Sequence, residues 1–239
     1  MYRVYGYFGY LIFMLPALLL GLWAQMLVKT RFNKFSKTAS RRGLTGAEAA
    51  KAVLNAGGVY NVPVGRVAGN LTDHYDPKNN SISLSDSVYG SNSIAAIGVA
   101  AHEAGHALQY ANDYAPIRFR MALVPICNVG SFLGPILIII GCLMTYAASA
   151  VSADLGFAIY AAGLILFSAV ALFQLVTLPV ELNASKRAMA ALERQGLLGG
   201  EELSGAKKVL TAAALTYIAA LVTSIMQILY YASRFRPRK

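Results

Sequence analysis

The stretch AAHEAGHALQY, Ala100 to Tyr110, holds two of the chain's three histidines, four residues apart, with Glu103 directly after the first. On an α-helix, positions i and i+4 lie one above the other on the same face, so His102 and His106 can point at one ion. Glu103 is offset from that face by about 100°, close enough to reach a water on the ion without ligating it. This is the H-E-x-x-H arrangement of zinc peptidases: imidazole nitrogens suit zinc, and a carboxylate beside them takes the proton of the attacking water. The competing reading is that the three residues share a helix by chance. The flanks argue against it. Ile94, Ala95, Ala96, Ile97, Val99 and Ala100 precede the motif and Ala107 and Leu108 follow His106, and a carboxylate in such an apolar helix is costly unless something pairs with it. Ala101 and Gly105 are small, so other backbone can approach closely.

The rest of the chain reads as membrane. Of 239 residues, 56% are hydrophobic and only 13% charged, against about 25% charged in soluble domains, and the mean hydropathy is +0.51. The formal charge of +10 comes from basic residues that flank apolar runs, the pattern that orients membrane proteins; no nucleic-acid motif accompanies it, and no nucleic-acid partner is expected. Cys127 and Cys142 fall in one apolar run; on a helix their separation is roughly 22 Å, too far for a disulfide or a shared metal.

Four apolar runs are long enough to span a bilayer, which takes about 20 residues: Tyr5–Val28, Met121–Ala148, Leu155–Val176 and Val209–Ala232. The first is too long for a signal-peptide core and is followed by Lys29 and Arg31, so it is read as an uncleaved span. The second and third are expected to form a tight hairpin. Between the runs, LTGAEAAKAVLNAGG (Leu44–Gly58) predicts a short helix with Thr45 as N-cap, Glu48 completing a capping box and Gly57 as stop. NVPVGRVAGNLTDHYDPKNNSISLS predicts strand, turn, strand, with DPKNN as the turn. The metal helix should start at Ser91 or Ser93 and end near Asn112–Asp113.

A catalytic zinc site needs a third protein ligand and an open position. The metzincin pattern would put a histidine where Asn112 stands, so it is excluded. The candidates are His74 upstream and Asp113, Asp154, Glu181, Glu193, Glu201 and Glu202 downstream. Asp113 is too near along the same helix, Asp154 belongs to the far end of the hairpin, and Glu201 and Glu202 sit in a Gly-rich stretch that reads as an exposed loop. Glu181 is favoured: Pro179 reads as opening a helix, Glu181 falls in its first turn, and Ser185 at i+4 shares its face and can hydrogen-bond a ligand. Its competing reading is a carboxylate attracted to a helix N-terminus. Two crossings separate His106 from Glu181, which returns Glu181 to the side of the histidines.

The block DHYDP (Asp73–Pro77), ISLSDSVYGSNSIAAIGVAAHEAGHALQ (Ile82–Gln109) and LPVELNASKRA (Leu178–Ala188) resembles the YugP-like membrane zinc metallopeptidases of bacteria, a gluzincin-type group. The resemblance covers most of the chain. It implies a zinc-dependent endopeptidase of the cytoplasmic membrane, with His102, His106 and Glu181 holding Zn2+ and Glu103 as catalytic base. Membrane gluzincins of the HtpX type often carry Asp four residues after the ligand Glu; here that position is Ser185. In gluzincin-like sites the strand before the metal helix offers its edge to an extended substrate, which points to Ser81, Ile82, Ser83, Leu84 and Ser85; an ordinary sheet strand is the alternative. His74, Tyr75 and Tyr89 are candidates to stabilise the oxyanion, each with packing or surface exposure as its plainer role.

The expected architecture is a mainly α-helical integral membrane protein of about four transmembrane helices with a small α+β zincin-like catalytic domain. Its parts are an N-terminal transmembrane helix (1–28), a catalytic segment with the HExxH helix (29–120), a transmembrane hairpin (121–178), a helical segment with the third-ligand Glu (179–208), and a C-terminal transmembrane helix with a basic tail (209–239). Its expected partners are the lipid bilayer and a protein or peptide substrate; substrate identity and oligomeric state are not written in the sequence. Sixteen Lys and Arg fall in the segments on the side of the motif and five on the other, which predicts a multi-pass protein whose site faces the cytoplasm. The rival functions are a non-peptidase metal-binding membrane protein or regulator with the same site, and a transporter or channel; the second is disfavoured because the spans carry no charged residue.

Overall fold

The computed structural model describes residues 2–147 and 150–234, with side chains from 8 to 145 and from 153 to 234. Of the expected hairpin connection 149–154, Ser149 lies outside the described residues, as do Ala148 and the tail residues Arg236, Arg238 and Lys239, and 150–154 belong to a helix. Among the described residues, seven helices and three strands follow one another: α1 (Tyr2–Phe35), α2 (Gly46–Ala56), β1 (Val64–Val67), β2 (His74–Asp76), β3 (Ser81–Ser85), α3 (Asp86–Tyr89), α4 (Ile94–Ala111), α5 (Ala115–Ala147), α6 (Ala150–Arg194) and α7 (Gly200–Arg234). Four stretches, Phe8–Phe35, Ala115–Thr145, Ala153–Arg194 and Gly200–Arg234, are long and apolar enough to cross a membrane. The protein is a mainly helical membrane protein with a small α+β part.

The chain divides into two compact units. One comprises Met1–Trp23, Phe119–Thr177 and Tyr217–Lys239. Its large apolar side chains point outward; Ile12, Phe132, Ile139 and Ile165 are among the most exposed in the chain. Since lipid tails are as apolar as leucine, helices here associate through close packing, which small residues permit. Glycine does this between α5 and α6. A Cβ on Gly130 would fall 2.4 Å from the Leu166 carbonyl oxygen, and one on Gly141 2.4 Å from the Tyr160 nitrogen. The Tyr160 hydroxyl donates to the Tyr231 carbonyl (2.9 Å), and the Tyr10 ring meets Tyr230 edge-on at 4.9 Å.

The second unit comprises Ala24–Arg118 and Leu178–Thr216. The α2 capping box is formed: Thr45 Oγ1 accepts from the Glu48 N–H (3.3 Å) and Glu48 Oε2 accepts from the Thr45 N–H (2.8 Å). Gly57 closes the helix. Helix α4 starts where Ser93 accepts from the Ala96 N–H (3.2 Å) and stops at Asn112. It is the centre of this unit's core, with residues from Ile94 to Gln109 almost continuously buried.

Three local expectations are corrected. The segment before α4 forms three strands, ordered β1-β3-β2, with β1 parallel and β2 antiparallel to β3. Ser81–Ser85 is therefore the central strand: Ile82 pairs with Val64 on one side and Tyr75 on the other, so its backbone groups are engaged and its edge is not open to a peptide. The DPKNN turn closes β2 onto β3, with Asp76 accepting from the Lys78 N–H (2.9 Å) and Asn80 in the left-handed region at φ 47°. Second, Pro179 lies inside α6 and does not open a helix. It forfeits the N–H that would serve the Leu175 carbonyl, a loss that membrane-spanning helices tolerate. Glu181 is thus mid-helix, which removes the helix N-terminus as an explanation for it. Third, Glu201 and Glu202 occupy the first turn of α7 rather than a loop, where the helix dipole favours carboxylates; Glu202 also accepts from the Arg41 N–H (2.7 Å).

Helices α4 and α6 touch at Gly105. A Cβ added there would fall 2.5 Å from the Ala184 carbonyl oxygen and 3.2 Å from its Cα. Replacing Gly by Ala in a helix normally gains up to about 1 kcal/mol; forcing a methyl onto backbone costs about 1–3 kcal/mol. Gly105→Ala is expected to lower the thermal midpoint of the purified protein in detergent, measured by circular dichroism. A raised midpoint would show that the two backbones are not in contact.

Candidate metal centre

The contact at Gly105 and Ala184 sets a matched register on the two helices. His102 and His106 lie three residues before and one after Gly105; Glu181 and Ser185 lie three before and one after Ala184. One close approach therefore brings all four side chains together. His102 Nε2 is 3.1 Å and His106 Nε2 3.5 Å from the same carboxylate oxygen, Glu181 Oε2. The three ligand atoms of His102, His106 and Glu181 lie within 4.8 Å of one another. Ligands of a tetrahedral zinc ion at about 2.0–2.1 Å stand roughly 3.3 Å apart, so the set fits such an ion with little movement.

The outer ring atoms are also held. His102 Nδ1 is 3.0 Å from Ser185 Oγ, and His106 Nδ1 is 3.0 Å from Gln109 Oε1. In both rings Nδ1 is engaged by protein and Nε2 is turned to the shared point, the disposition that orients metal-binding imidazoles.

The charge of the site fits a cation. Glu181 is 3% exposed, Glu103 and His106 8% each. Among the described residues no hydrogen bond or ion pair engages the Glu103 carboxylate. Two buried carboxylates whose partners include no lysine or arginine are costly unless a further positive charge joins them. The imidazole of His106 registers this field. Burial works against its charged form, yet the hydrogen bond to Glu181 and the charges of Glu103 and Glu181 outweigh burial and raise its pKa above the ordinary value. A divalent cation at Nε2 would draw on the same field.

The other sequence candidates are placed elsewhere. His74, on β2, is exposed, with Nδ1 2.9 Å from the Thr72 carbonyl. Tyr75 donates its hydroxyl to Asn80 Oδ1 (2.8 Å) and sets its ring 5.4 Å from that of Tyr110; burial raises its pKa. Tyr89 packs against the apolar core. None of their hydrogen bonds reaches His102, His106 or Glu181. Asp113 pairs with Arg118. Sequence reasoning passes over Gln109, which is fully buried and bonded to His106; a polar residue on an otherwise apolar helix, one turn after a candidate ligand, is the signal available.

The family described as "Putative neutral zinc metallopeptidase" matches residues 10–236. The chain is 43% identical over 221 residues, 92% of its length and 94% of the relative's, to "Putative membrane protease YugP" of Bacillus subtilis (strain 168). No solved structure matches. Since the match runs from the first apolar helix to the last and includes both halves of the His–His–Glu grouping, the chain belongs to the family described as "Putative neutral zinc metallopeptidase".

Proposed function

We propose that the protein is a zinc-dependent endopeptidase that cleaves membrane or membrane-associated proteins, with His102, His106 and Glu181 as zinc ligands and Glu103 as general base. The observation that carries this reading is the convergence of two imidazole Nε2 atoms on one Glu181 oxygen, at 3.1 and 3.5 Å, beside the buried Glu103 carboxylate, which has no hydrogen bond or ion pair among the described residues. Zinc in such a site supplies Lewis acidity, polarising a carbonyl and lowering the pKa of water towards about 7. Glu103 takes the proton of the water as it attacks the peptide carbonyl carbon. It then delivers that proton to the departing amide nitrogen, so the C–N bond breaks to give an acid and an amine. Glu181 keeps both imidazoles facing the reacting point, and Ser185 orients His102 from behind. The apolar helices supply the bilayer setting, and the site is assigned to the cytoplasmic side by the excess of Lys and Arg in the segments that carry it.

Glu103→Gln should retain zinc, measured by elemental analysis, and lose about 10²–10⁴-fold in hydrolysis of an unfolded test protein. Hydrolysis at the normal rate would remove Glu103 from the mechanism.

In Glu181→Ala, zinc affinity should fall by more than the roughly 10–100-fold typical of an outer-shell group, with membrane insertion intact. Full zinc content would transfer the third-ligand role to another residue, such as Glu193 or His74.

Orientation is read by cysteine labelling in a background lacking Cys127 and Cys142. Ser149→Cys should react with an impermeant reagent on intact cells and Ser36→Cys should not, while Ser233→Cys reports the side of the C-terminal end. The reverse pattern for the first two places the site outside the cell.

A further inference from the structure

Gln109 is 0% exposed, and its amide is fixed in one orientation from outside the site. Its nitrogen lies 2.8 Å from the Val180 carbonyl oxygen, which can only accept. The same nitrogen lies 3.1 Å from Asn183 Oδ1. Asn183 is fixed in turn, because that atom also faces Arg187 Nε at 2.8 Å, which can only donate. The Arg187 guanidinium is held over the Tyr114 ring at 5.7 Å. A flipped Gln109 amide would set oxygen against the Val180 carbonyl and leave the buried NH2 without its acceptors. The end of Gln109 that meets His106 Nδ1, at 3.0 Å, is therefore its carbonyl oxygen, and a carbonyl can only accept.

We infer that Gln109 is a positioning residue that keeps the proton of neutral His106 on Nδ1 and its Nε2 lone pair bare and aimed at the metal point. The inference rests on the proposed role of His106 as a ligand. A metal ligand must present an unprotonated nitrogen, and the ring tautomer is set by the bond its other nitrogen makes. The two histidines are not equivalent in this respect. His102 Nδ1 faces the hydroxyl of Ser185, which donates or accepts as required and so does not choose a tautomer, while His102 Nε2 stands 3.1 Å from the Glu181 carboxylate, which only accepts. At His106 the same Glu181 oxygen stands farther off, at 3.5 Å from Nε2, and the nearer acceptor is the Gln109 carbonyl at Nδ1. That choice is transmitted from α6, since Val180 and Asn183, which fix the amide, flank Glu181 on the same helix.

The tautomer is readable without metal or turnover. Protein carrying 15N-labelled histidine is prepared metal-free in detergent at about pH 9, well above the imidazole range, and the signals lost in His106→Gln assign that ring. Wild type should show His106 protonated at Nδ1 and bare at Nε2. Gln109→Met, which keeps the volume but removes the acceptor, should shift the ring towards the Nε2-protonated form and weaken zinc binding by about 10–100-fold in a chelator competition. A bare Nδ1 in the wild type overturns the inference, as does unchanged zinc affinity in a folded Gln109→Met protein. If Gln109→Met does not fold, the wild-type tautomer decides alone. A wild type that shows the expected tautomer yet binds no zinc defeats the metal reading and leaves the role of Gln109 standing.

Discussion

The backbone contact between Gly105 and the Ala184 carbonyl is the constraint on which the centre depends. It is made by the absence of a side chain, and it fixes two things together: how near α4 and α6 lie, and which residues face each other across the crossing. With the contact at that register, His102 and His106 straddle Glu181. A slip of one residue on either helix would turn its functional side chains by about 100° and dissolve every pair at once. Packing of the two helices and formation of the centre are therefore a single event, with no half-built version.

Electrostatics then explain why the packing ends in a binding site and not in an ordinary core. Most of α4 is alanine, glycine and aliphatic, and it is buried. Into that surface the chain places two carboxylates and two imidazoles, whose polar atoms are partly satisfied by Ser185 and Gln109. What remains is negative charge, enough to hold His106 above its usual pKa despite burial. Structural cores do not ordinarily retain such an imbalance.

The parts legible in the sequence are those set by local rules. The H-E-x-x-H spacing, the Thr45–Glu48 capping box, the Ser93 cap and the four apolar runs each follow from helix periodicity and end chemistry, and each is found where expected. The misreadings arose where tertiary context overrides local signal. Pro179 looks like a helix start, but α6 runs through it from an apolar stretch that tolerates the missing N–H. The three-residue strand His74–Asp76 has no apolar alternation to reveal it, so Ser81–Ser85 was read as an edge when β2 in fact covers one side of it. Glu201 and Glu202 follow two glycines and read as loop, although acidic residues there suit the start of α7. Gln109 was passed over because its meaning lies in partners some seventy residues away, Val180 and Asn183.

The scarcity of strong metal donors in this chain has a consequence for chemical speciation. Of three histidines, two are in the centre and His74 sits exposed on β2, bonded to the Thr72 carbonyl. The two cysteines belong to the other unit and to a single helix, fifteen positions apart. Among the described residues, His102, His106 and Glu181 form the one grouping able to hold an ion. Metal held by His102, His106 and Glu181 would require α4 and α6 packed at Gly105 and Ala184, so its occupancy would report the fraction of assembled sites.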